Sequence, residues 1–365
     1  MADKGIASRG HAAPLPRRAP DIRRFVETLW LREPDFVPIA DLGVDPPAKE
    51  ALLGRPILDA ATDVDFWHRA GYDFISLRPG YEFPHTMPGT TTTGAPHYEK
   101  EGEARQPVSV TAAGVIHDFK DLETYPWPDP DDESYYRPLD EAAAALPTGM
   151  GIVSGVGGIF TRTWMLLGLT EFCCALTERP DLVAAVFQRV GAIQVKVLRR
   201  VVAMRGVKAI WYGDDLAYTE STIVSPSVYR QYLFPWMEQL ASISHEAGMP
   251  FAYHSDGRLW EVIPDLIALG VNALHPIEPK AMDINEVKAQ FGRKLALIGN
   301  IDMDILARGT PAEVREQVRQ RIRDIAPGGG YAVGANPGIA DYVLPENYRA
   351  MREATFDYGR YPISV

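Results

Sequence analysis

The stretch FAYHSDGRLW, Phe251 to Trp260, sets His254 and Asp256 two residues apart, at the end of an apolar run and just before a glycine. In a strand, residues i and i+2 project to the same face, so an imidazole and a carboxylate would stand side by side there. The GDD of 213–215 puts Asp214 and Asp215 on opposite faces, so only one of them can turn toward a shared space. Two carboxylates and an imidazole suit zinc or another divalent metal; they suit general acid–base catalysis equally well, and the residues alone leave both open.

The elements that must position these groups alternate in the manner of a parallel sheet covered by helices. Short apolar runs at 36–43, 73–78, 151–158, 209–218, 251–257, 273–279, 295–302 and 331–336 are strand candidates, and eight is the number that closes a (β/α)8 TIM barrel. Such barrels carry their sites at the C-terminal ends of the strands. The expected ring there holds Asp41, Arg78, Asp214, Asp215, His254, Asp256, Glu278, Asn300, Asp302 and Asn336. Asp215, His254, Asp256 and Glu278 are the catalytic candidates, with His254, Asp256 and Glu278 as metal ligands; Asp41, Arg78, Tyr212, Asn300 and Asn336 are expected to line the substrate. Helix capping is the competing role for Asp41 and Asp302. His275 and Glu278 have opposite parity, so at most one of them faces inward.

Helix punctuation supports this layout. Thr310, Pro311 and Glu313 open a helix that stops at Pro327, and Ser225 and Pro226 open another that ends near Gly248, kinked at Pro235. The stretch 170–205 holds two helices broken at ERPDL, and Cys173 and Cys174 read as core residues within it. Residues 79–137, rich in Pro, Gly and Thr, form a long excursion over the mouth of the barrel, where His85 and His97 could touch substrate. The layout is a single domain over 21–365 behind a loose N-terminal arm, 1–20.

A net charge of −11 without a cluster of basic residues argues against nucleic acid as a partner and for a small-molecule substrate. Two adjacent cysteines exclude a disulfide framework and a cysteine-rich zinc site. No apolar run has the length of a membrane span, and a cytoplasmic location is expected.

The ordered series GVGGIFTRTWMLLGLTEF, GDDLAYTESTIVSPSVYRQYLFPWMEQL, HSDGRLWEVIPDLIALGVNALHPIEPKAMDINEVKAQFGRKLALIGNID and GGGYAVGANPGI resembles the uroporphyrinogen decarboxylase superfamily over about residues 22–360. The resemblance implies a (β/α)8 barrel and one of two activities. One is cofactor-free decarboxylation of uroporphyrinogen; the other is zinc-dependent methyl transfer involving a corrinoid protein. The arginine-rich segment of the decarboxylases has no counterpart in IADLGVDPPAKE. Their tyrosine after the third strand falls near Trp164, which adds that residue to the substrate-lining set, and their late histidine falls near Asn336 or Pro337. The His-x-Cys zinc pair of the thiol methyltransferases reads His254-Ser255-Asp256 here, and their last cysteine falls near Ala335 or Asn336. The expectation is a methyltransferase or demethylase component of a corrinoid-dependent system, acting on a small methoxy or methylamine compound. The corrinoid would come only through a partner protein, because the chain has no Asp-x-His-x-x-Gly motif. Relatives of this kind are often dimers, so a homodimer is expected. The alternatives are a decarboxylase of uroporphyrinogen or a smaller acid, gripping a carboxylate through Arg78 or Arg162, and a barrel that binds a ligand without turning it over.

Overall fold

The computed structural model describes residues 18–84 and 114–365. His85, His97 and most of the N-terminal arm therefore lie outside the described residues. Seven short parallel strands form one curled sheet in chain order: β1 (Phe74–Ser76), β2 (Gly151–Ser154), β3 (Val207–Gly213), β4 (Phe251–His254), β5 (Ala273–His275), β6 (Ala296–Ile298) and β7 (Tyr331–Ala332). Helices between the strands cover the outer face.

The eighth run, 36–43, departs from expectation, because it forms isolated bridges and no ladder. Ile39 pairs with Val333 and Val44 with Ile339, both parallel. Ala40 N–H donates to Val333 O at 2.7 Å and Val333 N–H to Pro38 O at 2.9 Å. Toward β1 the link is a side chain, Ser76 Oγ to Leu42 O at 2.7 Å. Pro38 has no N–H to give to a ladder, which accounts for the interruption. The segment thus fills the gap between β7 and β1 without becoming a strand.

Alternation along the strands sorts buried side chains into two cores. The larger lies between sheet and helices. The smaller lies on the concave face and consists of Phe74, Val153, Ala209, Trp211, Ala252, Ala273, Ala296, Ile298 and Ala332, joined by Phe25, Leu29 and Ala40. Alanine recurs because the curled face leaves little room within the ring. The helix Arg23–Leu29 plugs the end where the strands begin: the Phe25 ring sits 4.5 Å from that of Phe74 and 6.0 Å from that of Trp211. Asp73, just before β1, fixes the plug by accepting from Arg18 at 3.0 Å and Arg24 at 2.9 Å.

Other helices form where the punctuation places them. Thr310 and Glu313 make the reciprocal cap of Pro311–Ile325. The kink near Pro235 is a π-helical turn, Tyr229–Leu233, directly before Phe234–Glu246. Leu169–Glu178 and Pro180–Val201 are the two expected helices, but Cys173 and Cys174 are exposed and not core. The buried stripe of that first helix is Phe172 and Ala175, one turn apart, which leaves both thiols on the outward side. Among the described residues no single helix is long and apolar enough to cross a membrane.

Candidate active site

The inward parity of three neighbouring strands continues past their ends. Ala209, Trp211, Gly213 and Asp215 follow one another on β3, as do Ala252, His254 and Asp256 on β4, and Ala273 and His275 on β5. The apolar members fill the interior, and the polar ones arrive where the strands stop. There they meet a cavity of about 550 Å³ lined by Arg78, Arg162, Gln194, Asp214, Asp215, His254 and Asp256. One ligand atom from each of Asp215, His254 and Asp256 lies within 4.8 Å of the others.

Hydrogen bonds fix the protons in this cluster. Ala335 O can only accept, so His275 Nε2, 3.3 Å away, carries a proton. Burial first, and then His254, hold the His275 imidazole well below its ordinary pKa, so the ring is neutral and its Nδ1 accepts. His254 Nδ1, 2.8 Å from His275 Nδ1, must therefore donate. Burial also lowers the pKa of His254, with Asp215 opposing and Arg78 adding to the effect. The neutral His254 is left with a bare Nε2 lone pair, 3.6 Å from Asp215 Oδ1. A histidine whose second nitrogen is tied down in this way is an oriented metal ligand or an oriented base.

Asp215 Oδ1 also accepts from the backbone N–H of Asp256 at 3.0 Å. The Asp256 carboxyl itself has a buried Oδ1 without a hydrogen-bond partner. Burial, followed by Asp215 and Glu278, pushes this carboxyl well above the ordinary carboxylate range, which favours its protonated form. A cation placed among Asp215, His254 and Asp256 would meet oxygen and nitrogen donors that suit zinc, iron or manganese, and would give the orphan oxygen its partner.

The remaining candidates take other roles. Glu278, expected as a ligand, stands outside the cluster: its carboxylate accepts from Gly257 N–H at 2.9 Å and from Thr219 Oγ1 at 3.2 Å. Gly257 adopts φ +86°, where a Cβ would come 2.5 Å from Ala217 C, so this tight turn draws the glutamate to the backbone. Asp41 is buried away from the cavity, accepting from the Tyr72 hydroxyl and from Ala335 N–H at 2.7 Å. Tyr212 faces the outer core, where it donates to Asp214 at 2.6 Å and accepts from Ile159 N–H at 2.8 Å. Asp214 in turn takes the N–H groups of Phe160 and Thr161, both at 2.8 Å, at the start of the helix Ile159–Leu167. Trp164 packs against the larger core; its neighbour Arg162 reaches the cavity instead. Asn300 donates to Ile277 O, and neither it nor Asn336 lines the cavity, although Pro337 does. Asp302 caps the helix Met303–Arg308. Arg78 keeps its place at the cavity wall. Sequence reasoning missed His275 as the partner of His254 and Gln194 as a lining residue; the inward parity of His275 was the one available signal.

Comparison with known proteins gives these features a lineage. The family described as Uroporphyrinogen decarboxylase (URO-D) matches residues 101–358. Curated relatives include the uroporphyrinogen decarboxylase of Actinobacillus succinogenes, 33% identical over 79 residues covering 22% of each chain. The protein of the same description from Idiomarina loihiensis is 28% identical over 142 residues, 38% of each chain. The enzyme so described from Alkalilimnicola ehrlichii is 24% identical over 254 residues, 66% of each. The first of these relatives are thus matched over less than half their length. A solved methyltransferase from Methanosarcina mazei shares the fold at a TM-score of 0.71 and 20% identity, over 93% of this chain and 99% of that one.

Proposed function

The chain belongs to the uroporphyrinogen decarboxylase family, and from that premise we propose that it is a metal-dependent methyltransferase, the substrate-demethylating component of a corrinoid system acting on a small methoxy or methylamine compound. One observation carries the reading: Asp215, His254 and Asp256 bring ligand atoms within 4.8 Å of one another on the wall of a small-molecule cavity. The fold shared with the Methanosarcina methyltransferase supports it.

Asp215, His254 and Asp256 are the residues that would hold the cation. When bound it would supply Lewis acidity toward the oxygen or nitrogen from which the methyl group departs. The chain's own residues prepare this. His275 fixes the His254 tautomer, and Glu278 holds the turn at Gly257 that carries Asp256. In the metal-free protein, Asp256, whose burial favours the protonated acid, lines the cavity and could give a proton to a leaving oxygen, which departs poorly without one. The same reading takes residues 36–44 as the eighth stave of a single barrel domain over 21–365, a separate corrinoid-carrying protein as partner, a homodimer as assembly and the cytoplasm as location.

The test is zinc binding by the purified protein, followed by transfer of a methyl group from 4-methoxybenzoate or trimethylamine to added cob(I)alamin, read from the corrinoid spectrum. Both should be lost in His254→Ala and Asp256→Asn. A second reading, carboxy-lyase, is favoured by the two arginines in the same cavity and by the curated relatives' descriptions. A protein that takes up no metal and releases carbon dioxide from an acid would establish it in place of the first.

A further inference from the structure

Among the described residues, Asp45, Glu82, Asp214, Asp215 and Asp256 line the same cavity, yet its two arginines, Arg78 and Arg162, are ion-paired with none of them. Arg78 stands beside His254: a Cβ on Gly213 would meet Arg78 Nη2 at 3.1 Å and His254 Cδ2 at 3.5 Å. Arg162 approaches from the helix Ile159–Leu167 and lies over the Phe83 ring at 5.7 Å. Neither guanidinium has an ion-pair partner among the described residues, and each is near enough to feel the other's charge. Gln194, wholly buried in the helix Pro180–Val201, accepts the Tyr81 hydroxyl and leaves its Nε2 without a partner. That amide and Arg162 converge on one spot, since a Cβ on Gly157 would stand 3.9 Å from Gln194 Nε2, 3.7 Å from Arg162 Nε and 3.8 Å from Arg162 Nη2.

Two like charges in a concave site, next to an unsatisfied buried donor, are costly until an anion joins them. A planar guanidinium fork matches a carboxylate in two parallel hydrogen bonds. We infer that Arg78, Arg162 and the Gln194 amide form a carboxylate-binding subsite, placed on other elements than the segment after the first apolar run, so that the compound entering this cavity is a small carboxylate anion. The inference deepens the proposed function and rests on it for the reaction, though not for the binding.

Calorimetric titration of 4-methoxybenzoate, and of its neutral counterpart methoxybenzene, into the full chain tests it. The benzoate should bind the wild type, lose at least about tenfold in affinity in Arg78→Gln and in Arg162→Gln, and recover partly in Arg78→Lys, while methoxybenzene binds all of them equally weakly. Circular dichroism and an unchanged urea-unfolding midpoint establish that the variants are folded. The subsite is overturned if 4-methoxybenzoate fails to bind, if its affinity ignores both substitutions, if methoxybenzene binds as tightly, or if inorganic phosphate displaces it at equal concentration. Arginine-dependent benzoate binding in a protein that neither holds zinc nor demethylates would keep the subsite and discard the methyl-transfer reading.

Discussion

Asp256 concentrates the chemistry of the site in one group whose proton is linked to metal and to stability. Its folded pKa is raised, so folding favours the protonated acid. The stability this gives is fully present below the unfolded value, about pH 4, and is lost as pH rises through the raised folded value. In the metal-free protein, Asp256→Asn should therefore raise the melting temperature at pH 8 and leave it nearly unchanged at pH 4, measured by calorimetry. A divalent cation must displace the same proton. Zinc uptake should release it, in amounts that differ between buffers of different ionisation enthalpy, and zinc affinity should rise with pH. His275 should act on the metal only through His254. Replacing it with alanine is expected to weaken zinc binding by about 10–100-fold without removing a ligand, read by competition with a chromophoric chelator.

Turns and helix starts decide where these side chains end up. Gly257→Ala would force a Cβ against Ala217 at a φ that only glycine adopts freely, so zinc affinity should fall together with stability. Asp214 anchors the helix that carries Arg162 through two backbone N–H groups and the Tyr212 hydroxyl. Asp214→Ala should cost about 1–3 kcal/mol in urea unfolding, and it should weaken 4-methoxybenzoate binding because the helix start shifts. The same level of organisation explains what could be read in advance. Short apolar runs located the seven strands, and parity placed His254 and Asp256 on one face while leaving open which of Asp214 and Asp215 turns inward. Pattern alone gave no sign that Pro38 interrupts the eighth run. Nor could parity follow the chain beyond a strand end, where Gly257 turns back to capture Glu278. Gln194 was hidden for a different reason: on an amphipathic helix a buried glutamine is indistinguishable from a packing residue until the opposing wall is known.

Across the molecule, the sheet divides labour between its two ends. The end where the strands begin is packed with Phe25, Leu29, Phe74 and Trp211 and fastened by Asp73 between Arg18 and Arg24. Asp73→Ala would leave Arg18 buried without an ion-pair partner and Arg24 with Asp35 alone, and should destabilise the fold by about 3–5 kcal/mol in urea unfolding. Phe25→Ala should cost a similar amount, about 3–5 kcal/mol, by opening a cavity in the plug. Neither change touches the ligand-binding end, so zinc affinity of the folded variants should be unaltered. The stopper has one more effect, on traffic: among the described residues the lower end is packed shut, so the way to the cavity runs past the strand ends. On the proposed methyl transfer, a small compound would therefore have to enter before a carrier protein covered that side, and its remnant would leave only after the carrier withdrew.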